Sequence, residues 1–416
     1  MKHSKWVLSA LGLLAAGAVP AAELTISCGT APTEAHLCEQ PAMEWARATG
    51  NTVRILPAPQ QTNDRYAAYT EAFEAQSAEL DVVEIDLIWP AALGDYLVDL
   101  APLLGADGQA GHHPKLIDNA TVDGRLVAIP WSVSVGLLYF RYDLLMRYDR
   151  PVPRTWAELE ETARYVQAQE REAGHENFWG YVFQGAAYEG LTCNALEWIA
   201  SSDGGNLVDD AGNVTLDRPA AVAAVERAAG WIGDISPPRV VSYNEEATRL
   251  AFQSGNALFM RNWPYAWQLM QRDPNSPISG LFLAAPMPAG EDGGMRAGTL
   301  GGWYLAVSRY SKHPEEAADL VRHLTSASVQ SLRAIDGSLA PTRIALYRDG
   351  DVLRSNPGFA AMLPMLERAV LRPSRVKGEH YMASSEAFAR RVNAALAGDE
   401  PAGAALAAAR KEIEGR

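Results

Sequence analysis

The 416-residue sequence has only three cysteines and fewer basic than acidic residues. So few cysteines exclude a disulfide-dense scaffold and a structural zinc site built from four cysteines. With 36 Lys and Arg against 50 Asp and Glu, the formal charge is −14. This charge argues against non-specific binding to nucleic acid and against docking on an anionic membrane. Hydrophobic residues make up 48% of the chain, which is enough for folded cores, and the length suggests two domains.

The sequence also lacks the local motifs that mark common enzyme and cofactor sites. It contains no GxxxxGK[ST], no GxGxxG after a predicted strand, no GxSxG and no HExxH. His and Cys residues show no spacing typical of metal ligands. We therefore expect no cofactor, no metal and no catalytic residue. A glycosidase needs only two carboxylates, which can lie far apart in the chain, so a secreted glycan-processing enzyme is the rival from another class.

The amino terminus, MKHSKWVLSALGLLAAGAVPAAELT, has the features of a secretory signal peptide. Lys2 and Lys5 make its start positive, residues 6–17 are apolar, and small residues precede Ala21. The apolar stretch is shorter than the roughly 20 residues that span a bilayer. We predict a signal peptide over residues 1–21, cleaved after Ala21, and a periplasmic protein without membrane insertion.

The cysteines fit an exported chain. Cys28 and Cys38 lie ten positions apart, on either side of a predicted strand-to-helix turn. In an oxidising compartment a disulfide between them would contribute about 2–3 kcal/mol, and two separate thiols are the alternative. Cys193 lies in the apolar run LTCNALEWIA, so we interpret it as a small buried hydrophobic residue.

Strands and helices alternate along the first part of the chain. Strands predicted at 23–28, 52–56 and 81–89 enclose helices at 42–49 and 65–76. This alternation is typical of an α/β fold with a doubly wound parallel sheet. No low-complexity linker divides the chain, so we expect two lobes between which the chain crosses more than once. Further helices are predicted at 156–169, with Thr155 as the N-cap, and at 193–200, 219–232, 245–254, 315–325 and 390–415, the last broken at Glu400-Pro401. Further strands are predicted at 125–130, 133–140, 256–261 and 303–307.

Several segments embed aromatic residues among polar groups, an arrangement that suits carbohydrate. A pyranose ring stacks its C–H face on an indole, and its hydroxyls bind carboxylates and arginines. For a single tryptophan, core packing is the alternative, and we assign five tryptophans to it: Trp45, Trp156, Trp179, Trp198 and Trp231. Asp86 and Arg261 stand out because each is a charged residue within an apolar strand. The segments are EIDLIWP (84–90), LLYFRYDLL (137–145), AAYEGLTCNALEW (186–198), FMRNWPYAW (259–267) and GTLGGWYLAVS (298–308).

Taken in order, these segments resemble the extracellular solute-binding proteins of ABC sugar importers, the maltose-binding-protein-like family. Within that family they are most similar to the trehalose/maltose-binding branch. The resemblance covers most of the chain that follows the signal peptide. It implies two α/β lobes of the periplasmic-binding-protein type, joined by a multi-strand hinge, which close around a sugar. It also implies a non-enzymatic protein, expected to be a monomer, that delivers its sugar to the transmembrane subunits of an ABC permease.

The resemblance also implies a set of ligand-binding residues. Glu34 and Asp86 match carboxylates that accept sugar hydroxyls, and Trp263 matches a stacking tryptophan. The remaining residues implied in this way are Arg65, Tyr139, Arg141, the GGW loop of Gly301, Gly302 and Trp303, and Arg372 of an Arg-Pro motif.

After Arg372 the sequence departs from the family pattern. Similar disaccharide binders continue with a Pro- and Tyr-rich stretch, whereas this chain has RPSRVKGEHYMASS. One interpretation is a variable basic loop, and the other is a pocket altered for an acidic sugar, with Arg375 also binding the ligand. A polyamine is a further alternative, but Arg141 and Arg372 would repel a cation.

We therefore predict the periplasmic solute-binding subunit of an ABC sugar importer, which binds a di- or oligosaccharide or a glycoside and no nucleic acid. The amino-terminal lobe is predicted to comprise residues 22–129 and 284–345, and the carboxy-terminal lobe residues 130–283 and 346–416.

Overall fold

The computed structural model describes residues 21–29, 32–59, 61–291 and 294–415. The predicted signal peptide lies outside the described residues, apart from Ala21. Within the described ranges, no helix combines the length and the apolar character needed to cross a membrane.

Eleven strands and eighteen α-helices occur in the described part of the chain. The strands are β1 (Glu23–Ser27), β2 (Thr52–Leu56), β3 (Val82–Asp86), β4 (Thr121–Val122), β5 (Arg125–Leu126), β6 (Ile129–Val135), β7 (Leu137–Arg141), β8 (Trp179–Val182), β9 (Ala257–Asn262), β10 (Phe282–Pro286) and β11 (Leu300–Val307). The helices are α1 (Pro32–Thr49), α2 (Thr62–Glu74), α3 (Pro90–Leu93), α4 (Ala101–Gln109), α5 (Pro114–Asn119), α6 (Tyr142–Arg147), α7 (Trp156–Glu172), α8 (Glu189–Ser201), α9 (Pro219–Gly230), α10 (Glu245–Gln253), α11 (Ala266–Arg272), α12 (Pro314–Leu324), α13 (Ala327–Gly337), α14 (Gly350–Ser355), α15 (Met362–Arg368), α16 (Ser374–Lys377), α17 (Tyr381–Ala397) and α18 (Ala402–Glu414).

The first sheet has five strands in the order β2-β1-β3-β11-β6. β1 runs parallel to β2 and β3, whereas β11 runs antiparallel to β3 and β6. Every residue of β3 is buried, as expected for a strand in the middle of a covered sheet. Helices α1, α12 and α13 pack together on this sheet.

The second sheet has four strands in the order β10-β7-β9-β8, of which only β8 and β9 are paired in parallel. Helices α8, α9, α17 and α18 pack against one another beside it. Trp156, Trp198 and Trp231 lie in the core of this half, each only 1% exposed, which confirms the core-packing interpretation for these three. The predicted α/β class is confirmed, but these two sheets are mixed rather than purely parallel, and β4 and β5 form a third, antiparallel sheet.

The chain passes between the sheets at Gly136, which separates β6 in the first sheet from β7 in the second. The prediction of one strand over 133–140 was therefore wrong, because the strand is divided at this glycine. A Cβ atom at Gly136 would lie 1.9 Å from Oε1 of Glu197, so no larger residue fits this crossing. A later crossing follows β10, on the way to β11. Another lies between α15, which contacts β6, and α17, which packs against α8 and α9.

Local sequence signals placed many of the elements correctly. Thr155 caps α7 and forms a reciprocal capping box with Glu158. The predicted break at Glu400-Pro401 separates α17 from α18. Strands β8 and β10 were not predicted, because short strands without clear alternation resemble loops in sequence.

The extents of the two sheets lead us to propose slightly different lobe boundaries from those predicted. The boundary predicted after residue 129 falls at the start of β6, and the boundary after 283 falls inside β10. Because all of β6 pairs in the first sheet and all of β10 in the second, we propose boundaries after 135 and after 286.

Cys28 and Cys38 are joined by a disulfide, which links the end of β1 to α1. Cys193 is buried and unbridged, and burial raises the pKa of its thiol to about 12. At that pKa the thiol stays protonated at neutral pH and is a poor nucleophile.

Candidate functional site

A cavity of about 270 Å³ lies between the two sheets. The first half of the molecule contributes residues near the carboxyl ends of its parallel strands, where α/β folds usually bind ligands, and at the amino end of the antiparallel strand β11. The second half contributes the first turns of α8 and α10 and the segment after β9. The lining residues are Glu34, Gln61, Thr62, Asp86, Ser132, Val133, Ser134, Tyr188, Glu189, Gly190, Cys193, Asn244, Glu245, Glu246, Trp263, Pro264, Tyr265, Gly301, Gly302, Trp303, Ser338, Leu339, Ala340 and Arg372.

Arg372 joins the two halves of the molecule at the cavity. Its Nη2 donates to Oδ1 of Asp86 at 3.0 Å, and its Nη1 donates to Oε1 of Glu189 at 2.9 Å. Asp86 ends β3 in the first sheet, whereas Glu189 begins α8 beside the second. The guanidinium is only 2% exposed, and two carboxylates neutralise its charge. In this structure Arg372 therefore orients the carboxylates of Asp86 and Glu189.

Glu189 is held by further donors. The hydroxyls of Tyr381 and Ser385 donate to its two carboxylate oxygens at 2.7 and 2.5 Å. Burial raises the pKa of Glu189, and the neighbouring Arg372 opposes that rise. The surrounding donors hold the carboxylate in one orientation at the cavity wall.

A second pair of acids occupies the first turn of α10. The side chain of Asn244 caps this helix by accepting from the backbone N–H of Ala247 at 2.9 Å. Next along the chain are Glu245 and Glu246, whose charges are favourable at a helix amino terminus. The hydroxyl of Tyr188 donates to Glu245 at 2.5 Å.

Glu246 accepts a similar hydrogen bond, at 2.7 Å, from the hydroxyl of Tyr265. Burial, together with the nearby carboxylates, raises the pKa of both Tyr188 and Tyr265 far above the ordinary value. Both hydroxyls therefore remain protonated donors that fix the acids. Their oxygen lone pairs, like the free sites of the carboxylates, can still accept hydrogen bonds from a ligand.

Two half-buried tryptophans line the cavity, one from each half of the molecule. Trp303 lies on β11 opposite Asp86 of β3. Trp263 follows β9, and its ring approaches Gly301 so closely that a Cβ atom there would lie 3.0 Å from a ring carbon. Glycine at this position therefore lets the indole reach the floor of the cavity.

Seven of the residues singled out from the sequence line this cavity together. They come from five separate regions of the chain and both halves of the fold. They are Glu34, Asp86, Trp263, Gly301, Gly302, Trp303 and Arg372.

Arg65 and Tyr139 lie behind the cavity wall rather than on it. Arg65 is 1% exposed and stacks on Trp303. Tyr139 is fully buried, and its hydroxyl donates to the carbonyl of Trp263 at 2.9 Å. Each therefore supports a tryptophan of the lining instead of facing a ligand.

Arg141 and Arg375 lie apart from the cavity. Arg141 forms an ion pair with Asp143 at 2.6 Å. Arg375 pairs with Asp118 at 2.5 Å, and its side chain is 52% exposed. We do not retain these two residues in the site, because neither guanidinium belongs to the described lining.

Among the acids and tyrosines of the lining, five were not singled out from the sequence. Tyr188, Glu189 and Tyr265 belong to segments that were already noted for their aromatic and polar character. Glu245 and Glu246 follow Asn244, a helix-capping residue, so they could have been recognised as acids at a helix start. What the sequence does not reveal is that these segments face one cavity.

The charge of the lining is strongly acidic. It includes five carboxylates, and Arg372 is the one basic residue among the lining residues described. Within the described ranges, no group of three or more His, Cys, Asp or Glu side chains is arranged to hold a metal ion. The site thus presents hydrogen-bond acceptors and indole rings, the combination that suits a ligand with many hydroxyl donors.

Residues 33–331 match the family of bacterial extracellular solute-binding proteins. The chain belongs to this family, and it is a solute-binding protein of the ABC-transporter type. The two-lobed α/β architecture described above is the fold of the structural relatives.

Three relatives place the chain more closely. A "Probable ABC transporter-binding protein" from Deinococcus radiodurans is 43% identical over 97% of this chain and 94% of its own. The solved structure of maltose-bound MalE3 from T. maritima is 36% identical and covers 95% of this chain and 99% of that one, with a TM-score of 0.89. The maltodextrin-binding protein MdxE of Bacillus subtilis is 24% identical over 65% of this chain and 66% of its own.

Proposed function

We propose that this protein captures a neutral di- or oligosaccharide between its two lobes in the periplasm and delivers it to an ABC permease. The observation that carries the proposal is a cavity with one tryptophan from each lobe, surrounded by oriented carboxylates. Indole faces bind the C–H surface of a sugar, and the carboxylates accept charge-assisted hydrogen bonds from its hydroxyls. The relative from T. maritima, at 36% identity, is described as maltose-bound.

The size of the cavity favours a short ligand. Binding pockets for small molecules usually measure about 300–1,000 Å³, and this one, at about 270 Å³, lies just below that range. A micromolar complex needs about −8 kcal/mol. Three or four charge-assisted hydrogen bonds at about 1.5–3 kcal/mol each, with two indole contacts, supply this after the cost of ordering.

A thermal-shift screen of maltose, trehalose, maltotriose and glucose tests the proposal. Because only the native state binds, a ligand at 100 times its Kd should stabilise the protein by about 2.7 kcal/mol. We expect at least one neutral saccharide to raise Tm. If no saccharide does so, and a solute of another class does, the proposed function is wrong.

The acidic-sugar version is disfavoured by the charges at the site. It needed Arg375 in the pocket, whereas this side chain pairs with Asp118 at the surface. We expect a disaccharide that contains a glucuronic acid to bind at least tenfold more weakly than its neutral counterpart in a competition assay. Tighter binding of the uronic acid would restore the acidic-sugar version.

We also propose that the protein is not an enzyme, as its relatives are binding proteins. Incubation of the protein with a bound oligosaccharide should release no shorter product. Turnover that is lost in the Asp86→Asn variant would support the glycan-processing alternative instead.

A further inference from the structure

Both tryptophans of the cavity are covered on one ring face by a buried arginine. The guanidinium carbon of Arg65 lies 4.4 Å from the ring centroid of Trp303, and that of Arg261 lies 3.8 Å from the ring centroid of Trp263. Both distances lie well within the range of about 6 Å for a cation–π contact. Arg65 and Arg261 are only 1% and 0% exposed. The rings belong to the described lining of the cavity, whereas the arginines do not.

Each arginine is itself fixed by a buried glutamate. Nη1 of Arg65 lies 3.2 Å from Oε2 of Glu84, and its Nε donates to the carbonyl of Pro59 at 3.2 Å. Arg261 donates from Nε and Nη2 to the two carboxylate oxygens of Glu197 at 3.0 and 2.5 Å. A guanidinium held at two edges cannot turn, so the plane that it offers to the indole is set.

Each glutamate also binds the backbone of another part of the site. The N–H of Gly29 donates to Oε2 of Glu84 at 2.8 Å. Gly29 precedes α1, the helix that carries Glu34. The N–H of Thr299 donates to Oε1 of Glu197 at 3.0 Å, directly before β11. The two halves of the molecule thus contain the same unit: glutamate, arginine and tryptophan, with one backbone segment attached.

We propose that Arg65 and Arg261 are positioning residues that fix the planes of Trp303 and Trp263 before the ligand arrives. This inference rests on the proposed function, because it assigns the rings to sugar stacking. An indole that is already held loses less conformational freedom on binding, so more of the contact energy appears as affinity. Neither arginine touches the ligand in this account.

Lysine substitutions test the role while keeping the charge. In Arg65→Lys and Arg261→Lys, an ammonium still faces Glu84 or Glu197, but it has no plane to stack on the indole. Arg171→Lys is the matched control, because Arg171 lies 4.5 Å from the ring centroid of Trp179, away from the cavity.

Two measurements are made on each variant. Relaxation of the ¹⁵N-labelled indole groups in the sugar-free protein reports the order of the rings, and calorimetry with maltose reports affinity. We expect Arg65→Lys to loosen Trp303, Arg261→Lys to loosen Trp263, and each to weaken maltose binding about tenfold, equivalent to about 1.4 kcal/mol. The control should change neither the order of the two cavity rings nor the affinity.

Ring order that stays at the wild-type value in both lysine variants would overturn the proposal. If the wild-type protein binds no maltose, ring order alone decides the positioning role, while the sugar screen decides the proposed function. If Arg261→Lys does not fold, the double variant Arg261→Gln/Glu197→Gln removes both buried charges together, and the same loss of order at Trp263 is expected.

Discussion

At the scale of single residues, the site is a set of carboxylates whose positions are fixed by hydrogen bonds from neighbouring side chains. Arg372 holds Asp86 and Glu189, and tyrosine hydroxyls hold the two acids of α10. Oriented acceptors need little rearrangement when a hydroxylated ligand enters, which favours binding. The charges of individual side chains should therefore influence affinity more than stability.

Trp263 should supply one of the two stacking faces of the binding site. Replacing it with alanine removes an indole face from the cavity, so the Kd for the bound sugar should rise about ten- to hundredfold. Trp179→Ala, which removes a half-buried tryptophan outside the cavity lining, should leave the Kd unchanged. Calorimetry of both variants makes the comparison. Equal Kd values for Trp263→Ala and the wild type would contradict the stacking assignment.

The negative charge of Glu245 should strengthen sugar binding. Glu245→Gln keeps the shape of the side chain but replaces charge-assisted hydrogen bonds with neutral ones, which are weaker by about 1 kcal/mol. Sugar binding should weaken about fivefold, with little change in Tm. Glu161→Gln on the exposed face of α7, where the side chain is 76% exposed, is the control. An unaltered Kd for Glu245→Gln would remove this acid from the binding site.

At the scale of elements, the disulfide and the ends of strands determine where the site residues lie. The bond between Cys28 and Cys38 joins β1 to α1 and thereby restrains the segment that carries Glu34. In the described lining, the first half of the molecule contributes mainly from strand ends and the second half mainly from helix starts. Because these strands and helices are packed in the core, they also fix the positions of the acids that they carry.

We predict that the Cys28→Ser/Cys38→Ser double variant is less stable by about 2–3 kcal/mol, because the unfolded chain gains freedom when the loop is opened. Urea unfolding measures the change. Sugar binding should also weaken, since the segment of Glu34 is less restrained. Reduction of the wild-type protein should reproduce both effects. Equal stability of the double variant and the wild type would show that the bond contributes nothing to folding.

The elements also show how far the sequence could predict the structure. Caps, prolines and apolar strands located α7, β3 and the break before α18, because those signals are local. Residues 133–140 look like one strand, but they divide at Gly136, and only the contact with Glu197 across the fold shows why. Arg65 and Tyr139 were associated with the pocket, but the sequence could not show that they stand behind its tryptophans, since burial depth depends on tertiary packing.

At the scale of the whole molecule, two sheets linked by several crossings of the chain form a cavity between them. Because the chain crosses between the two sheets more than once, as in hinged binding proteins, we expect the lobes to rotate relative to each other as rigid units. A sugar that contacts both lobes should favour the closed arrangement, because it binds that arrangement more tightly. We therefore predict a smaller radius of gyration with a saturating sugar by small-angle X-ray scattering. Scattering curves that coincide with and without the sugar would contradict closure.

The central claim is that the cavity between the lobes binds a neutral saccharide, and calorimetric titration of the wild-type protein with maltose and trehalose tests it most directly. We expect saturable binding of at least one of the two sugars, with one site per chain and a Kd in the micromolar range or below. No detectable heat or saturation with either sugar, under conditions where the protein is folded, would contradict the claim.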